Sequence, residues 1–517
     1  MASAGGTLGV LRKQARALLE AGIQEVLPGA LVAKSVQREG DTLRLGGRTI
    51  PLAHNVYMVG FGKAVGGMAY AVQRLLGDHL VRGVVNVPVG TRETAALLHK
   101  PEMVPQEPVQ VFEGARNNLP DEEALVGAMA IVTFISRLQA TDLLLVLVSG
   151  GGSALLPVPL EPLTLREKMG AIELLSRRGA KIQEVNSVRK HLSLVKGGNL
   201  LRQTQAKVVS LILSDVVDDP LETIASGPTV PNREEEGMPL RIIDKYGLRD
   251  QVAPSVLALL ERHMREGTGL PQPVKALNFL IGNNKAGIPP MHHRIAARAV
   301  IAAARRLGYR PYLLTTSLQG EARQVGEAFA LLASHLCHDD GTCGQHTSLS
   351  EVAQQLRVRY KELEQLRESA KLSFSQGHSV CVVAAGETTV HVRGSGRGGR
   401  SQEMALAAAL AFDALFKSRQ ACDDLLFLAA GTDGADGPTD AAGAIAHLDT
   451  AREARAQGLD PAAALENNDS HTFFRAYARG VDHVVTGPTG TNVMDLDILL
   501  LRPPFIEEAR PAPEARA

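Results

Sequence analysis

Two arginines among glycines are the first residues in this chain whose types and spacing suggest chemistry. The stretch GSGRGGRSQEMALAAALAF (residues 394–412) places Arg397 and Arg400 among four glycines and then runs into an alanine-rich helix. Glycine lets a backbone come close to a ligand. A helix start offers N–H groups and the positive end of a dipole, which attract anions. Two guanidiniums in such a loop form a grip for phosphate or carboxylate. A solvated basic turn is the plainer alternative, and the rest of the chain has to decide between them. Arg400 is expected to reach a ligand at the helix start and to contribute little to the folded core.

Further candidates sit at the ends of apolar runs. VGFGKAVGGMA sets Gly60, Gly62, Lys63 and Gly66 between a strand and a helix. It resembles a dinucleotide fingerprint, but its third glycine comes one place late and the next strand, GVVNVP, lacks the acid that binds a ribose. Lys63 at the mouth of this loop suits a phosphate or carboxylate instead. LVSGGGSALLPVP supplies Ser149, Gly150, Gly151, Gly152 and Ser153, a run that aims backbone N–H groups at an anion. It is neither a hydrolase elbow nor a Walker loop. LILSDVVDDPLETIASGPTVP ends a strand at Asp215, with Asp218 and Asp219 behind it. Clustered carboxylates there suit Mg²⁺, and AAGTDGADGPTDAAGA repeats the theme with Asp433 and Asp436. The grouping HLCHDDGTCGQH fits no common zinc spacing. Asp469 in NDSHTFF is expected to cap a helix.

The elements that must position these residues alternate in type. Apolar runs at VYMVGFG, GVVNVP, VQVFEG, DLLLVLVSGG and KVVSLILSD read as parallel strands buried on both faces, with helical segments between them. A second series is expected to begin at ALNFLIGNN and to continue through YRPYLLT, SVCVVAAGETTVHVRG, DLLFLAAG and DHVVTGPTGTNVMDLDILLLR. The fold class is therefore α/β in two domains, 1–272 and 273–517, the first a Rossmann-like doubly wound sheet. Ligands of such sheets gather at the carboxyl ends of the strands. From Leu8 onward the N-terminus reads as an amphipathic helix with Leu11, Ala15, Leu18, Leu19 and Ile23 on its apolar face.

Bulk composition narrows the function classes. The 517 residues are 45% hydrophobic and 21% charged, with Lys plus Arg equal to Asp plus Glu at 55 each. That balance gives no electrostatic argument for nucleic acid or an anionic membrane. The absence of Trp and the 4% of aromatics argue against stacking platforms for single strands. Four cysteines in so long a chain suggest a reducing compartment. No apolar run is long enough to cross a bilayer. The expected location is the cytoplasm, with the mitochondrion left open by the basic, acid-poor N-terminus. The expected partners are small molecules, and homo-oligomerisation is left open.

Together these stretches resemble the glycerate kinases of the glycerate 2-kinase type, whose C-terminal domain is called MOFRL. The matching segments include VGFGKA, NLPDEEAL, LVSGGGSALLPVP, EVNSVRKHLSLVKGGNL, LSDVVDDPLETIASGPTVP, GSGRGGRSQEMAL, AAGTDGADGPTDAAGA, NDSHTFF and TGPTGTNVMDLDILLL, in the family's order from about residue 7 to 502. The resemblance is strongest to the animal enzyme. It implies ATP-dependent phosphorylation of D-glycerate to 2-phosphoglycerate with Mg²⁺, in a cleft between the two domains. It puts Lys63 and Arg400 on functionally important positions, while the strand-end carboxylates themselves make Asp215 the catalytic and metal-binding candidate with Asp433 in reserve. Gly62, residues 149–153, Arg397 and Asn492 complete the expected substrate- and phosphate-binding set. Bacterial members usually carry GHPxPD where this chain has RNNLPD, so Asn117 stands in the place of a histidine. The segment GIPPMHHRI after IGNNKA is an unusual insertion. A nicotinamide-dependent oxidoreductase and a non-catalytic ligand-binding homologue are the competing readings.

Overall fold

The computed structural model describes residues 4–217, 220–235, 237–267, 275–284, 291–338, 347–416, 424–491 and 493–503. The chain forms two compact units, one of residues 27–292 and one of residues 1–26 joined with 293–517. This division differs from a boundary at 272/273 in two ways, each with a physical cause. The N-terminal helix Ala4–Glu25 buries Leu11, Ala15, Leu18, Leu19 and Ile23 as its pattern predicts. That face packs in the C-terminal unit, where Arg12 forks onto buried Asp482 at 2.6 Å through both Nε and Nη2. The strand that was expected to open the second series joins the first sheet instead.

That sheet is built from β4 (Val56–Phe61), β5 (Leu80–Pro88), β6 (Val109–Gly114), β7 (Leu143–Val148), β8 (Lys207–Val217) and β9 (Ala276–Asn284). A small antiparallel meander precedes it, of β1 (Val36–Glu39), β2 (Thr42–Leu45) and β3 (Arg48–Pro51). The order across the large sheet is β6-β5-β4-β7-β8-β9, and every neighbouring pair is parallel. This is the doubly wound Rossmann arrangement, with strand order reversing between β4 and β7. All six residues of β7 are buried, as its unbroken LLLVLV run requires of a central parallel strand.

The second unit holds a mixed sheet of β10 (Arg310–Leu318), β11 (Val380–Gly386), β12 (Asp424–Gly431), β13 (Gly443–His447), β14 (His483–Val484) and β15 (Asp495–Arg502). Its order is β10-β11-β15-β12-β13-β14. β10 and β11 run parallel, whereas β15 lies antiparallel between β11 and β12. Asp495 at the start of β15 therefore pairs with Gly386 and Gly431 at the ends of both neighbours. The helix Arg400–Leu415 is buried from Ser401 through Ala409 among the apolar side chains of this unit. Among the described residues no helix is long and apolar enough to cross a membrane.

Candidate active site

In the first unit, two of the expected loops meet at the point where the strand order reverses. The turn after β4 carries Gly62 with φ +143°, and a Cβ there would overlap Ser149 Oγ at the end of β7. Only glycine permits that approach. The two turns are also bonded together: Ser149 Oγ accepts from Ala64 N at 3.0 Å, and Lys63 N donates to Gly150 O at 2.8 Å. Lys63 is exposed, and its stem lies against Gly151. A Cβ on Gly151 would come within 2.9 Å of Lys63 Cγ and 3.0 Å of Asn118 Oδ1. Gly62, Lys63 and the loop 149–152 are thus one constellation at the switch point. Gly66 has another role: a side chain there would strike the Met103 carbonyl, so it permits packing and is not a displaced fingerprint glycine.

The loop that carries RNNLPD supports this constellation under strain. Ala115, Asn117 and Asn118 all have positive φ. Asp121 holds the loop by accepting from the N–H groups of Ala115, Arg116 and Ala124, each at 2.8 Å. Asn118, beside Lys63, is a site residue that the chain's motifs did not single out. So are Asn186, Arg189, Lys196 and Ser226. Ser153 Oγ lies 2.9 Å from Ser226 Oγ, and its carbonyl accepts from Lys196 Nζ at 3.1 Å. Ala225 and Ser226 also hold positive φ, 50° and 63°, a strained turn facing the glycine loop. The usable signal for these residues was the Asn/Arg spacing in EVNSVRKH and the polar VKGGN turn.

In the second unit the strand ends gather carboxylates around one arginine. Arg400 forks onto Asp495 through Nε at 2.6 Å and Nη2 at 2.9 Å, and its Nη1 lies 3.2 Å from Glu387. Burial outweighs this pairing and pushes the Asp495 carboxyl up to about 6. Asp497, buried two residues on, is pushed further by burial and by Asp495. The helix start differs from the expectation of free N–H groups. Buried Asp436 accepts from Ser401 N at 3.0 Å and Gln402 N at 2.9 Å, so a side chain already fills the anion position. Arg400 is also held within the fold, contrary to a loop arginine of little structural weight. Arg397 is exposed and donates from Nε to Pro438 O at 3.2 Å, so the two guanidiniums have separate partners. Asp469 does not cap its own helix; it accepts from Arg397 N and Thr472 Oγ1 and ties the arginine loop down.

Asp433 is partly buried after β12, and Oδ1 accepts from Ala435 N at 3.1 Å. Asp215 lies on β8, but its side chain is outside the described residues, as are Asp218, Asp219, Asn492 and the segment 285–290. Cys343 and His346 of the HLCHDDGTCGQH grouping also fall outside. Within it, His335 Nε2 faces the Thr347 carbonyl at 3.1 Å and His338 Nδ1 faces the Ser334 carbonyl at 3.0 Å.

A Rossmann-order sheet with a lysine over paired glycine turns at its switch point, in a chain that also holds a second α/β unit, defines a two-unit α/β protein. Comparison with known proteins gives the family. Residues 14–261 match a domain of unknown function, DUF4147, and residues 380–495 match the MOFRL family. The glycerate kinase of Rattus norvegicus is 44% identical over 504 residues, covering 95% of this chain and 94% of that protein. D-glycerate 2-kinase of Thermotoga maritima is 33% identical over 494 residues, covering 95% and 98%. The crystal structure of a Thermotoga maritima glycerate kinase superposes with a TM-score of 0.71 at 30% identity, covering 95% of this chain and all of that one. The chain belongs to the glycerate kinase family of enzymes.

Proposed function

We propose that the protein transfers the γ-phosphoryl group of ATP to the 2-hydroxyl of D-glycerate, forming 2-phosphoglycerate and ADP. The observation that carries this reading is the switch-point constellation of Gly62, Lys63 and residues 149–152 in a chain similar over nearly its whole length to glycerate kinases. The bond from the substrate oxygen to phosphorus forms as the bond from phosphorus to the ADP oxygen breaks, and the hydroxyl proton leaves to solvent. Such a transfer asks the protein mainly for positioning and for positive charge near phosphate oxygens. Lys63 and the backbone N–H groups of the glycine loop are suited to the phosphates, and Arg400 is the proposed donor to the transferring group. The 2-position rests on the name of the Thermotoga relative.

Mg²⁺ is the proposed metal; Asp433 or Asp215 would hold it, and it would supply positive charge to the phosphate oxygens. The donor chemistry fits: Asp433 is a hard carboxylate at a strand end, and its Oδ2 has no protein partner among the described residues. Asp215 is the other candidate. Family membership replaces the oxidoreductase reading, and turnover separates an enzyme from a ligand-binding homologue. The deciding assay is ³¹P NMR of the protein with ATP, Mg²⁺ and D-glycerate. A 2-phosphoglycerate resonance is expected. 3-Phosphoglycerate as sole product refutes the regiochemistry, and no product refutes the kinase reading.

A further inference from the structure

Three cations lie together in the first unit with no acid among the described residues to balance them. Lys168 is on the helix Leu165–Arg177, Arg189 on the helix Ile182–His191, and Lys196 in the turn that follows. Lys168 is 4% exposed and Lys196 1%, while Arg189 is partly buried. Their hydrogen bonds go only to neutral oxygens. Lys168 Nζ donates to the carbonyls of Pro157 at 2.9 Å and Val158 at 3.1 Å. Lys196 Nζ donates to the Ser153 carbonyl, and Arg189 Nη1 to Asn186 Oδ1. Burial, and then the neighbouring cations, lower the lysines: Lys168 to about 7 and Lys196 well below its ordinary value. A buried cation without a counter-charge costs several kcal/mol. Selection tolerates such a group where a ligand completes it.

Lys196 adjoins the end of the glycine loop through the Ser153 carbonyl. Lys63 lies against Gly151, whereas Ser153, two residues on, meets Lys196 and Ser226. Ser226 Oγ in turn donates to Asn186 Oδ1 at 3.3 Å, so hydroxyls and an amide join the cations in one connected patch. Resting on the kinase reading, we infer that Arg189 and Lys196, with Asn186, Ser153 and Ser226, form the seat for the carboxylate of D-glycerate. The planar fork of Arg189 matches a carboxylate. The hydroxyl and amide groups beside it suit the polyol end of a three-carbon hydroxy acid. Buried, short-tethered groups favour a small fixed anion over a polyphosphate chain that must be released at each turnover. Lys63 and the loop's N–H groups remain available to that chain.

Binding of a carboxylate here restores charge balance and draws a proton onto a lysine. Isothermal titration of the full-length protein with D-glycerate alone, at pH 8.5 in two buffers of different ionisation enthalpy, reads that proton directly. The expected result is uptake approaching one proton per glycerate bound. Lys196→Met and Arg189→Met should each weaken D-glycerate binding by roughly 10- to 100-fold, the range for hydrogen bonds to charged groups. ATP affinity should stay within about threefold. Arg189→Lys should recover part of the loss, since it returns the charge without the fork. Lys196→Met should leave the thermal midpoint close to the parent's, because burial already disfavours the charge on the amine it replaces and only the bond to the Ser153 carbonyl is lost. The unmodified protein supplies the proton-uptake result even where a variant fails to fold. Glycerate binding without proton uptake overturns the inference, as does weakened ATP binding with glycerate affinity unchanged. Normal turnover with unaltered glycerate affinity in both methionine variants refutes the seat and leaves the kinase reading standing. A parent protein that binds no glycerate refutes both.

Discussion

Replacing Arg400 by alanine should damage stability and turnover for different reasons, and a second substitution separates them. The guanidinium is fully charged and about a quarter exposed, whereas the Asp495 side chain it grips is 2% exposed. Removing one partner of a buried pair costs about 3–5 kcal/mol. The partial exposure of Arg400 reduces that to about 2–4 kcal/mol. At about 2–4 °C per kcal/mol for a unit of this size, the thermal midpoint should fall by roughly 5–15 °C at pH 8. The loss should shrink as pH falls. Asp495 has a folded-state pKa of about 6, raised above the ~3.9 of an unfolded chain. A carboxyl raised on folding binds its proton more tightly in the folded state. Its stability contribution is therefore complete below about pH 4 and is lost as pH rises to 6, about 3 kcal/mol at 1.36 per unit. Without Arg400 the carboxyl rises further, so the penalty extends above pH 6 and is relieved at pH 5.

Adding Asp495→Asn to Arg400→Ala removes the orphaned charge at nearly constant shape. The midpoint should return to within a few degrees of the parent at pH 8. Turnover at saturating ATP and glycerate should stay 10²- to 10⁵-fold down, the range for a lost transition-state donor or arginine finger. Differential scanning calorimetry at pH 5 and 8, with a coupled ADP assay on the same samples, reads both quantities. Turnover that recovers with stability assigns Arg400 a purely structural role. A single variant that melts with the parent at pH 8 refutes the ion-pair argument.

Three further outcomes follow from the same geometry. Gly62→Ala puts a methyl group on Ser149 at φ +143°, so it should lower turnover at least tenfold and lower the midpoint; normal kinetics would show that the two turns need not touch. Asp433→Asn and Asp215→Asn should raise the Mg²⁺ concentration for half-maximal turnover, at unchanged midpoints, and a flat metal response in both would remove the carboxylate role. Arg12→Met should destabilise the protein by about 3 kcal/mol by leaving fully buried Asp482 with His447 as its remaining partner, measured by urea unfolding; a wild-type midpoint would show that the N-terminal helix is not anchored there.

How much of this was legible in the chain depends on where the controlling neighbours lie. The strands β4 and β7 were readable because a strand covered on both faces needs an unbroken apolar run, and VYMVGF and LLLVLV supply it, while β5, β6 and β8 are apolar with polar interruptions. β13 was not, since Ile445 is the one β-branched residue of GAIAH and the run is too short and too small to mark a strand. The meander of β1 to β3 is too polar to stand out. β9 was readable as a strand but not as a member of the first sheet. A Pro/Gly-containing segment looks like a boundary whether the next strand opens a new domain or returns to pair with β8. The N-terminal helix shows the same limit: its apolar face was plain, but its partner Asp482 stands 470 residues away.

The site residues divide along the same line. Gly62, Lys63 and the SGGGS run were visible because a single turn dictates them: close backbone approach needs glycine, and the anion-facing N–H groups are local. EVNSVRKH and VKGGN carry Arg189 and Lys196, but that these and Lys168 form one buried cluster was not legible, because a lysine becomes unusual only when tertiary burial removes its water. The acids of the second unit mislead in the opposite direction. A carboxylate behind a strand reads as a metal ligand, yet Asp436 satisfies two N–H groups at the start of a buried helix, which would otherwise cost about 1–3 kcal/mol each. Asp495 lies in register with the glycines that end β11 and β12, and it holds Arg400 in one orientation by two parallel hydrogen bonds. On the proposed reading, a guanidinium fixed in this way would meet a phosphoryl group without losing side-chain freedom at that moment, which is the condition for electrostatic stabilisation to appear in the rate. Asp495 was no metal candidate in the sequence, and its part is to fix the guanidinium.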